Sequence, residues 1–408
     1  MSFSFNKVKQ LLLMVLLGTV TVWSNTLPGI SFSGIGTLFP LRFVAVICTV
    51  IFLFTQRKFI LYKNSSIFLF LMLGYGFASL LWCQDVSTGI SAMVIYITSV
   101  FTVFSVFVLV KDERDIVVLC RVIVICAVII GLMGIYESIT GNYFTETKDR
   151  YSVSWVNNYF GWKYPHAIFY NTNDYATFMT AMLPVYCIAF KDLKTGGVLQ
   201  YLCLLFSVFC VILTNSRLCL ILNAAFFIWN LPKKQIKGVL LGLAAVVIVV
   251  YIGYRYWNYL SNSILDIINF SLGDERRIQI WANCLANIFR TWTFGVGVGN
   301  SIIANSQFCY FDTGGIFSVH NFPLEIFEEF GLFGFICFGS WLLSIFTNIR
   351  KYTDTVIGKY LMLFCVLYLF LTICSSSIRQ AYYFWLILAV CLVYVKIRRD
   401  SQKVDQHE

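Results

Sequence analysis

Long apolar runs separated by short polar segments extend over the whole chain. Most of these runs have about 16–22 residues, close to the roughly 20 that a helix needs to cross about 30 Å of hydrocarbon. Lipid offers the backbone no hydrogen-bond partners, so runs of this length are expected to be helices. The pattern predicts an all-α polytopic membrane protein whose single integral membrane domain covers residues 1–408. The twelve predicted spans are residues 10–23, 38–54, 66–82, 90–110, 116–136, 175–190, 198–213, 218–231, 238–257, 322–348, 358–377 and 381–397.

Two of these spans allow a second interpretation. Residues 10–23 follow Lys7 and Lys9, as the apolar part of a signal peptide would, but no small-x-small cleavage site comes after them. An uncleaved helix is therefore favoured. The span at 218–231 is short, and its length also fits a tilted or partly re-entrant helix.

Basic residues are concentrated in every second segment between the predicted spans, as the positive-inside rule requires of cytoplasmic segments. With both termini in the cytoplasm, every inner segment contains Lys or Arg, and these segments hold 19 of the 30 basic residues. A count of eleven or thirteen spans breaks this alternation. The inner basic residues are Lys7, Lys9, Arg57, Lys58, Lys63, Lys111, Arg114, Lys191, Lys194, Lys233, Lys234, Lys237, Arg350, Lys351, Lys359, Lys396, Arg398, Arg399 and Lys403.

The same alternation places two long polar segments, residues 137–174 and 258–321, on the outer side. The inner loops are brief and contain no GxxxxGK[ST] sequence, so nucleotide hydrolysis has no predicted place in the cytoplasm. Long loops on one face usually carry function. We therefore expect the active site at the extracytoplasmic face, above all in the stretch from Gly273 to Gly334.

The composition agrees with a membrane protein, and it argues against nucleic-acid binding and against zinc or redox chemistry. The chain is 59% hydrophobic and 12% charged, and its net charge of +10 follows from the inner loops, so nucleic acid is not an expected partner. Most of the 14 cysteines lie within apolar runs and no CxxC pair exists, which argues against a zinc or redox site. Cys284 and Cys309 share the second outer loop, where two free thiols are favoured over a disulfide.

Three basic groups stand out on the predicted outer face: Arg217, the pair Arg276 and Arg277, and His320. Arg217 lies in the tight turn TNSRL between two apolar runs. An arginine at such a depth is costly unless it is paired or used in the protein's function. The alternative is an arginine at a helix end whose charged head reaches the membrane interface.

The second group, Arg276 and Arg277, opens an amphipathic stretch whose helix start is predicted at Gly273–Asp274. Residues on one face of this stretch are Arg277, Trp281, Cys284 and Ile288. The pattern predicts a short helix at the membrane surface. Anchoring of the arginines to lipid phosphate is the alternative to a catalytic role.

His320 and Asn321 stand where the chain re-enters the membrane. A histidine there has a pKa range suited to proton transfer near neutrality, although a lone histidine is more often structural. Glu325, Glu328 and Glu329 follow at i, i+3 and i+4, and carboxylates at such a depth either act in function or pair with the arginines.

The GVGVG run at residues 295–299 lacks the strand and helix that surround a phosphate-binding fingerprint. Taken alone, it is predicted to be a flexible connector. No DxD-type signature is present, so no metal site is predicted.

Together these features resemble the O-antigen ligase and O-antigen polymerase superfamily of bacterial polysaccharide assembly. The resemblance covers about residues 171–340. The matching pieces are Asn171–Asp174 (N-x-N-D), Ser216–Arg217, Arg277–Trp281 (R-x3-W), Gly295–Asn300, His320–Asn321 and Glu329–Gly334 (E-x-G-x-x-G).

The resemblance implies transfer of a glycan from a polyprenyl-pyrophosphate carrier to an acceptor hydroxyl, with no metal and no cofactor. Carried onto this chain, it implies that Arg217 and Arg277 stabilise the leaving pyrophosphate and that His320 acts as general base. Arg276 is the alternative to Arg277. Further substrate-binding candidates are Arg276, Asn321, Glu329, Asn173 and Asp174.

We favour a polymerase of O-antigen, capsular or exopolysaccharide repeat units slightly over a ligase that transfers finished polymer, but the motifs do not separate them, because both use the same donor chemistry. A flippase for the lipid-linked oligosaccharide is the rival from another class, and it would line a central cavity with charge. The expected partners are the lipid-linked donor, the glycan acceptor, membrane lipid and other polysaccharide-assembly proteins. The expected location is the bacterial cytoplasmic membrane, with the site facing outwards.

Overall fold

The structure, a computed structural model, describes residues 5–24, 30–32, 36–55, 65–145, 162–231, 264–373 and 378–405. In these residues strands form only one antiparallel hairpin, in which β1 (Ile30–Phe32) pairs with β2 (Gly36–Leu38). The helices are α1 (Phe5–Val22), α2 (Pro40–Thr55), α3 (Ser65–Ser79), α4 (Val86–Leu109), α5 (Glu113–Thr140), α6 (Thr172–Ala181), α7 (Leu183–Ala189), α8 (Gly196–Ile212), α9 (Arg217–Asn230), α10 (Ile264–Arg290), α11 (Ser301–Gln307), α12 (Phe322–Ile349), α13 (Val356–Leu371) and α14 (Tyr382–Asp405). Short 3-10 turns lie at Arg350–Tyr352 and Ile378–Gln380.

The predicted helical class is confirmed for these residues, apart from the hairpin, which the apolar pattern did not predict. Each predicted span coincides with helix wherever the chain is described, although two spans are divided, one at Pro184 and one at Gly331. The span at 175–190 consists of α6 and α7, because Pro184 at the start of α7 has no N–H to continue the helix before it. The span at 238–257 lies outside the described residues.

Three of the described helices are long and apolar enough to cross a membrane: Val86–Leu109, Glu113–Thr140 and Phe322–Tyr352. Five shorter apolar helices lie at Pro40–Ile51, Ser66–Ser79, Gly196–Ile212, Arg217–Asn230 and Val356–Leu371. The full count of twelve spans and their orientation remain predictions.

Contacts between the helix termini fall into two groups. At one end, which we call the basic end, Glu113 Oε2 lies 3.9 Å from Lys191 Nζ and Glu113 Oε1 lies 3.6 Å from Arg398 Nη1. At the other, which we call the site end, α5 terminates and the Phe322 N–H donates to the Thr372 carbonyl at 2.9 Å. The three residues at the basic end come from segments that the charge pattern predicts on one side of the membrane.

Helix α12 is interrupted near the site end. Gly331 has φ 62° and ψ −169°, a conformation essentially reserved for glycine. In a continuous helix the Leu332 N–H would donate to the Glu328 carbonyl. Here Leu332 donates instead to the Thr293 carbonyl at 2.8 Å, so the helix loses a hydrogen bond of its own and gains one from another segment.

Residues 293–299, including the GVGVG run, satisfy the backbone groups that this break exposes. Val296 N–H donates to the Glu328 carbonyl at 2.8 Å, and Gly297 N–H donates to the Glu329 carbonyl at 3.2 Å. Gly295, Gly297 and Gly299 all have positive φ. We call residues 293–299, together with the break at Gly331, the glycine brace.

The brace is also fixed from its other side, by the connection between α3 and α4. Tyr75 Oη donates to the Phe294 carbonyl at 2.8 Å, and Trp82 Nε1 donates to the Gly295 carbonyl at 3.1 Å. The Val298 N–H donates to Ser79 Oγ at 3.0 Å. The prediction of a flexible connector is therefore wrong, because a local pattern cannot show hydrogen bonds to residues more than 200 positions away.

We expect Gly331→Ala to lower the free energy of unfolding by about 3 kcal/mol, because a side chain at this backbone conformation is strained. The added Cβ would also lie 2.3 Å from the Thr293 carbonyl oxygen. The measurement is the thermal unfolding midpoint of the purified protein in detergent. Gly339→Ala in the same helix is the matched control, since nothing lies within 4 Å of its Cβ position. Equal midpoints for the two variants would contradict the brace.

Candidate active site

His320 forms the turn that enters α12. Its φ of 49° lies in the left-handed region, which is uncommon for residues other than glycine, and its side chain is half-buried. Asn321 caps the helix, because its side-chain oxygen accepts from the Leu324 N–H at 3.3 Å. The tight turn and the cap fix the backbone from which the imidazole projects.

Helix α10 packs against this turn. Trp281 Nε1 donates to the Val319 carbonyl at 3.1 Å, and Cys284 Sγ lies 3.7 Å from the Leu324 carbonyl oxygen. Arg277 precedes Trp281 by about one helical turn and is half-buried. The structure thus places Trp281 of the R-x3-W motif beside the His320 turn, with Arg277 one helical turn earlier. Arg276 belongs to the same helix, but its side chain lies outside the described part.

Two details of α10 differ from the prediction. The helix begins at Ile264 instead of Gly273–Asp274, because a glycine inside a helix costs only about 1 kcal/mol and does not end it. The predicted face, with Cys284 and Ile288, packs on the protein. The opposite face, with Ile278 and Phe289, is the exposed one.

Burial, and secondly the Glu328 carboxylate, raise the pKa of the Cys284 thiol well above its usual range. The thiol is therefore protonated at neutral pH and unreactive. Cys309 is exposed, and both cysteines are free, in agreement with the preference for two thiols over a disulfide.

Arg217 is the first residue of α9 and its side chain is exposed. A cation at a helix N-terminus is disfavoured by the helix dipole, so helix stability does not account for an arginine here. The turn before it contains Asn215 at φ 60°. Left-handed residues thus occur both in the Arg217 turn and at His320, and local strain of this kind is frequent at functional sites.

The second predicted group, Asn173 and Asp174, lies near the Arg217 turn. Asn171 caps α6 by accepting from the Asp174 N–H at 2.9 Å, which leaves Asn173 half-buried and Asp174 buried. Helix α6 runs beside α9, since Asn223 Nδ2 donates to Thr180 Oγ1 at 2.7 Å.

The two groups are connected through α13 and the start of α14. Helix α13 contacts α6, and its final turn contacts the His320 turn through Thr372. The Tyr383 ring, at the start of α14, packs against Phe169 and Phe178. Both groups therefore lie at the site end, with Arg277 and His320 in one and Arg217 and Asp174 in the other.

The three carboxylates after His320 are buried and bound. Glu328 accepts from Asn287 Nδ2 and from Asn305 Nδ2, each at 3.2 Å. Glu329 Oε1 accepts from Ser301 Oγ at 3.1 Å and from Arg379 Nη1 at 3.0 Å.

Glu325 lies 3.5 Å from the same Arg379 nitrogen. Two of the three carboxylates, Glu325 and Glu329, therefore contact an arginine, but it is Arg379 and not an arginine singled out from the sequence. Sequence reasoning missed this residue, although an arginine in a short turn between two apolar runs was a visible signal.

The first outer loop, as far as it is described, is built around another buried carboxylate. Glu137 accepts from the backbone N–H groups of Phe144, His166 and Ala167 at 2.7–3.0 Å. The Tyr143 ring stacks on His166, with ring centroids 4.6 Å apart. Burial, and secondly Glu137, raise the pKa of Tyr143 to about 12, so its hydroxyl remains a donor to the chain.

The segments of this chain that match known proteins include most of the candidate site residues. A family model described as O-Antigen ligase matches residues 202–339, a segment that includes Arg217, Arg277 and His320 and leaves out Arg379. The teichuronic acid biosynthesis protein TuaE of Bacillus subtilis (strain 168) is 23% identical over 353 residues, which cover 81% of this chain and 71% of that protein. Together with the order of the motifs, these matches confirm the predicted resemblance to the O-antigen ligase and O-antigen polymerase superfamily.

Proposed function

We propose that this protein is a membrane glycosyltransferase of surface-polysaccharide assembly. It transfers a glycan from a polyprenyl-pyrophosphate carrier to an acceptor hydroxyl at the extracytoplasmic face of the cytoplasmic membrane. The observation that carries the proposal is the packing of the R-x3-W helix against the His320 turn, within the segment that matches the O-Antigen ligase model. The similarity to a teichuronic acid biosynthesis protein also supports a role in surface-polysaccharide assembly.

In the proposed reaction the acceptor oxygen attacks the anomeric carbon while the bond from that carbon to the pyrophosphate oxygen breaks. His320 takes the hydroxyl proton, and the lipid pyrophosphate leaves with the bonding electron pair. Attack from the face opposite the leaving group inverts the anomeric centre. Arg217 and Arg277 stabilise the negative charge on the leaving pyrophosphate through charge-assisted hydrogen bonds, for which the planar guanidinium is well suited.

The contacts described above support different roles for the remaining candidates. Asn321 caps α12 and Glu329 is bound to Arg379, so both hold the site together without having to touch substrate. Asp174, buried beside the Arg217 turn, fits a role in holding that turn. Asn173 is half-buried and can reach a ligand there.

Two forms of this activity share the donor chemistry, and we favour a polymerase that joins repeat units over a ligase. Deletion in the native host separates them. The polymerase predicts surface glycan reduced to single repeat units. Chains of normal length that remain on the lipid carrier would contradict the polymerase and support the ligase.

His320→Ala, Arg217→Ala and Arg277→Ala are each expected to lower the release of polyprenyl pyrophosphate from a synthetic lipid-linked donor by about 100-fold or more. The measurement uses purified protein in detergent or nanodiscs. Arg350→Ala is the control, because this arginine is exposed and follows the other terminus of α12. Wild-type rates in all three variants, or no release by the wild type, would contradict the enzyme in favour of a flippase.

The proposed orientation makes Cys309 reactive from outside the cell. A membrane-impermeant maleimide is expected to label intact cells at this exposed thiol, whereas the buried and protonated Cys284 stays unlabelled. Cys309→Ser should remove the label at this site, and Cys284→Ser should leave it unchanged. Labelling of Cys309 only after the cells are opened would contradict an outward-facing loop.

A further inference from the structure

Residues 322–330, which we call the half-helix, directly follow His320 and Asn321. Gly331 separates them from the rest of α12. A continuous helix would transmit the position of the membrane span directly to the His320 turn. The break removes that connection. The position of the turn must therefore be set by contacts from the side.

Arg379 makes the strongest of these lateral contacts. Its Nη1 lies 3.0 Å from Glu329 Oε1 and 3.5 Å from Glu325 Oε1. The two carboxylates stand four residues apart, so they lie on the same face of the half-helix. One guanidinium therefore contacts two successive turns, which restricts the rotation of the half-helix about its axis as well as its distance from Arg379.

Because this contact is buried, its loss would cost much more free energy than the loss of a surface ion pair. The side chain of Arg379 is 14% exposed, that of Glu325 is 10% exposed and that of Glu329 is fully buried. Removing one member of a buried ion pair leaves charge without compensation, which is far more costly than losing a surface pair. Without Arg379, the two neighbouring carboxylates would have to take up protons or move towards water, and either change removes the contact that holds the half-helix.

A direct role for Arg379 on the substrate fits these contacts less well. Its Nη1 is already engaged by two carboxylates, its Nε is buried, and only 14% of the side chain is accessible. Arg217 and Arg277, by contrast, are exposed and half-buried. Arg379 is thus placed to act on the backbone that carries His320.

We propose that Arg379 is a positioning residue that acts through Glu325 and Glu329 to hold the half-helix, and with it His320, in the geometry of general-base catalysis. The inference rests on the proposed function for its catalytic meaning. Its structural content, that Arg379 sets the environment of His320, is independent of that function. Misplacement of a catalytic group by about 1 Å costs on the order of 100-fold in rate.

The kinetic test is a double-mutant cycle with Arg379→Gln, Glu329→Gln and the double variant. Arg379→Gln is expected to lower kcat for release of polyprenyl pyrophosphate by about 10- to 100-fold with KM for the lipid-linked donor unchanged. The double variant should recover part of this loss, since two neutral amides can hydrogen-bond to each other and only one carboxylate, Glu325, remains without its cation. Arg398→Gln, which breaks the pair with Glu113 at the basic end, is the matched control and should keep wild-type kcat.

A second measurement does not depend on activity. The chain has three histidines, His166, His320 and His407, so histidine-labelled protein gives a simple NMR spectrum that His320→Gln assigns. Arg379→Gln is expected to shift the His320 signal and its titration midpoint, and Arg398→Gln to leave both unchanged. If Arg379→Gln cannot be purified, Arg379→Lys is measured in its place, because lysine keeps the charge but lacks the planar fork.

The proposal is overturned if the His320 signal is the same in Arg379→Gln as in the wild type. It is also overturned if Arg379→Gln raises KM at constant kcat, which would indicate contact with the donor, or if the double variant is no better than Arg379→Gln. A wild-type protein that releases no polyprenyl pyrophosphate would refute the proposed function instead. The NMR comparison would then still decide whether Arg379 positions His320.

Discussion

Inside a membrane, every polar backbone group must find a hydrogen-bond partner within the protein. The helix can break at Gly331 only because another segment supplies the partners that the helix itself no longer provides. The carbonyls of Glu328 and Glu329 lose their helical donors, and the N–H groups of Val296 and Gly297 replace them. The exchange is possible because Gly295 has no side chain: a Cβ there would lie 2.5 Å from the Gly331 nitrogen and 2.7 Å from the Glu329 carbonyl oxygen. A half-helix, a sharp turn and a buried ionic cluster can thus coexist at the site end.

Charge is distributed unequally between the two ends of the molecule. At the basic end, the half-buried pairs of Glu113 with Lys191 and Arg398 connect segments that the charge pattern puts in one compartment, and such pairs contribute little stability each. At the site end the charges are either fully buried, as at Glu329, or accessible, as at Arg217. Only accessible cations can meet a phosphate group, so the chemistry proposed for this protein belongs at the second end.

The sequence predicted what depends on local pattern. Apolar runs gave the helices, and the spacing of Arg277, Trp281, Cys284 and Ile288 gave one face of α10, but not the His320 turn on which that face packs. It could not predict the break, because Gly331 and Gly339 look alike in an apolar run although only Gly331 has a positive φ. The partner of Glu325 and Glu329 was also missed, since Arg379 follows 50 residues after Glu329 and is brought there by two intervening helices.

The ionic cluster has a consequence for the order in which the chain is built. Asn287 and Ser301 precede the half-helix in the sequence, so hydrogen-bond donors for Glu328 and Glu329 exist when these carboxylates are synthesised. The cation does not, because Arg379 is added only after α13. During biogenesis the half-helix therefore lacks its buried cation until the segment between α13 and α14 has been added. Folding of the site end is thus completed by the C-terminal pair of helices.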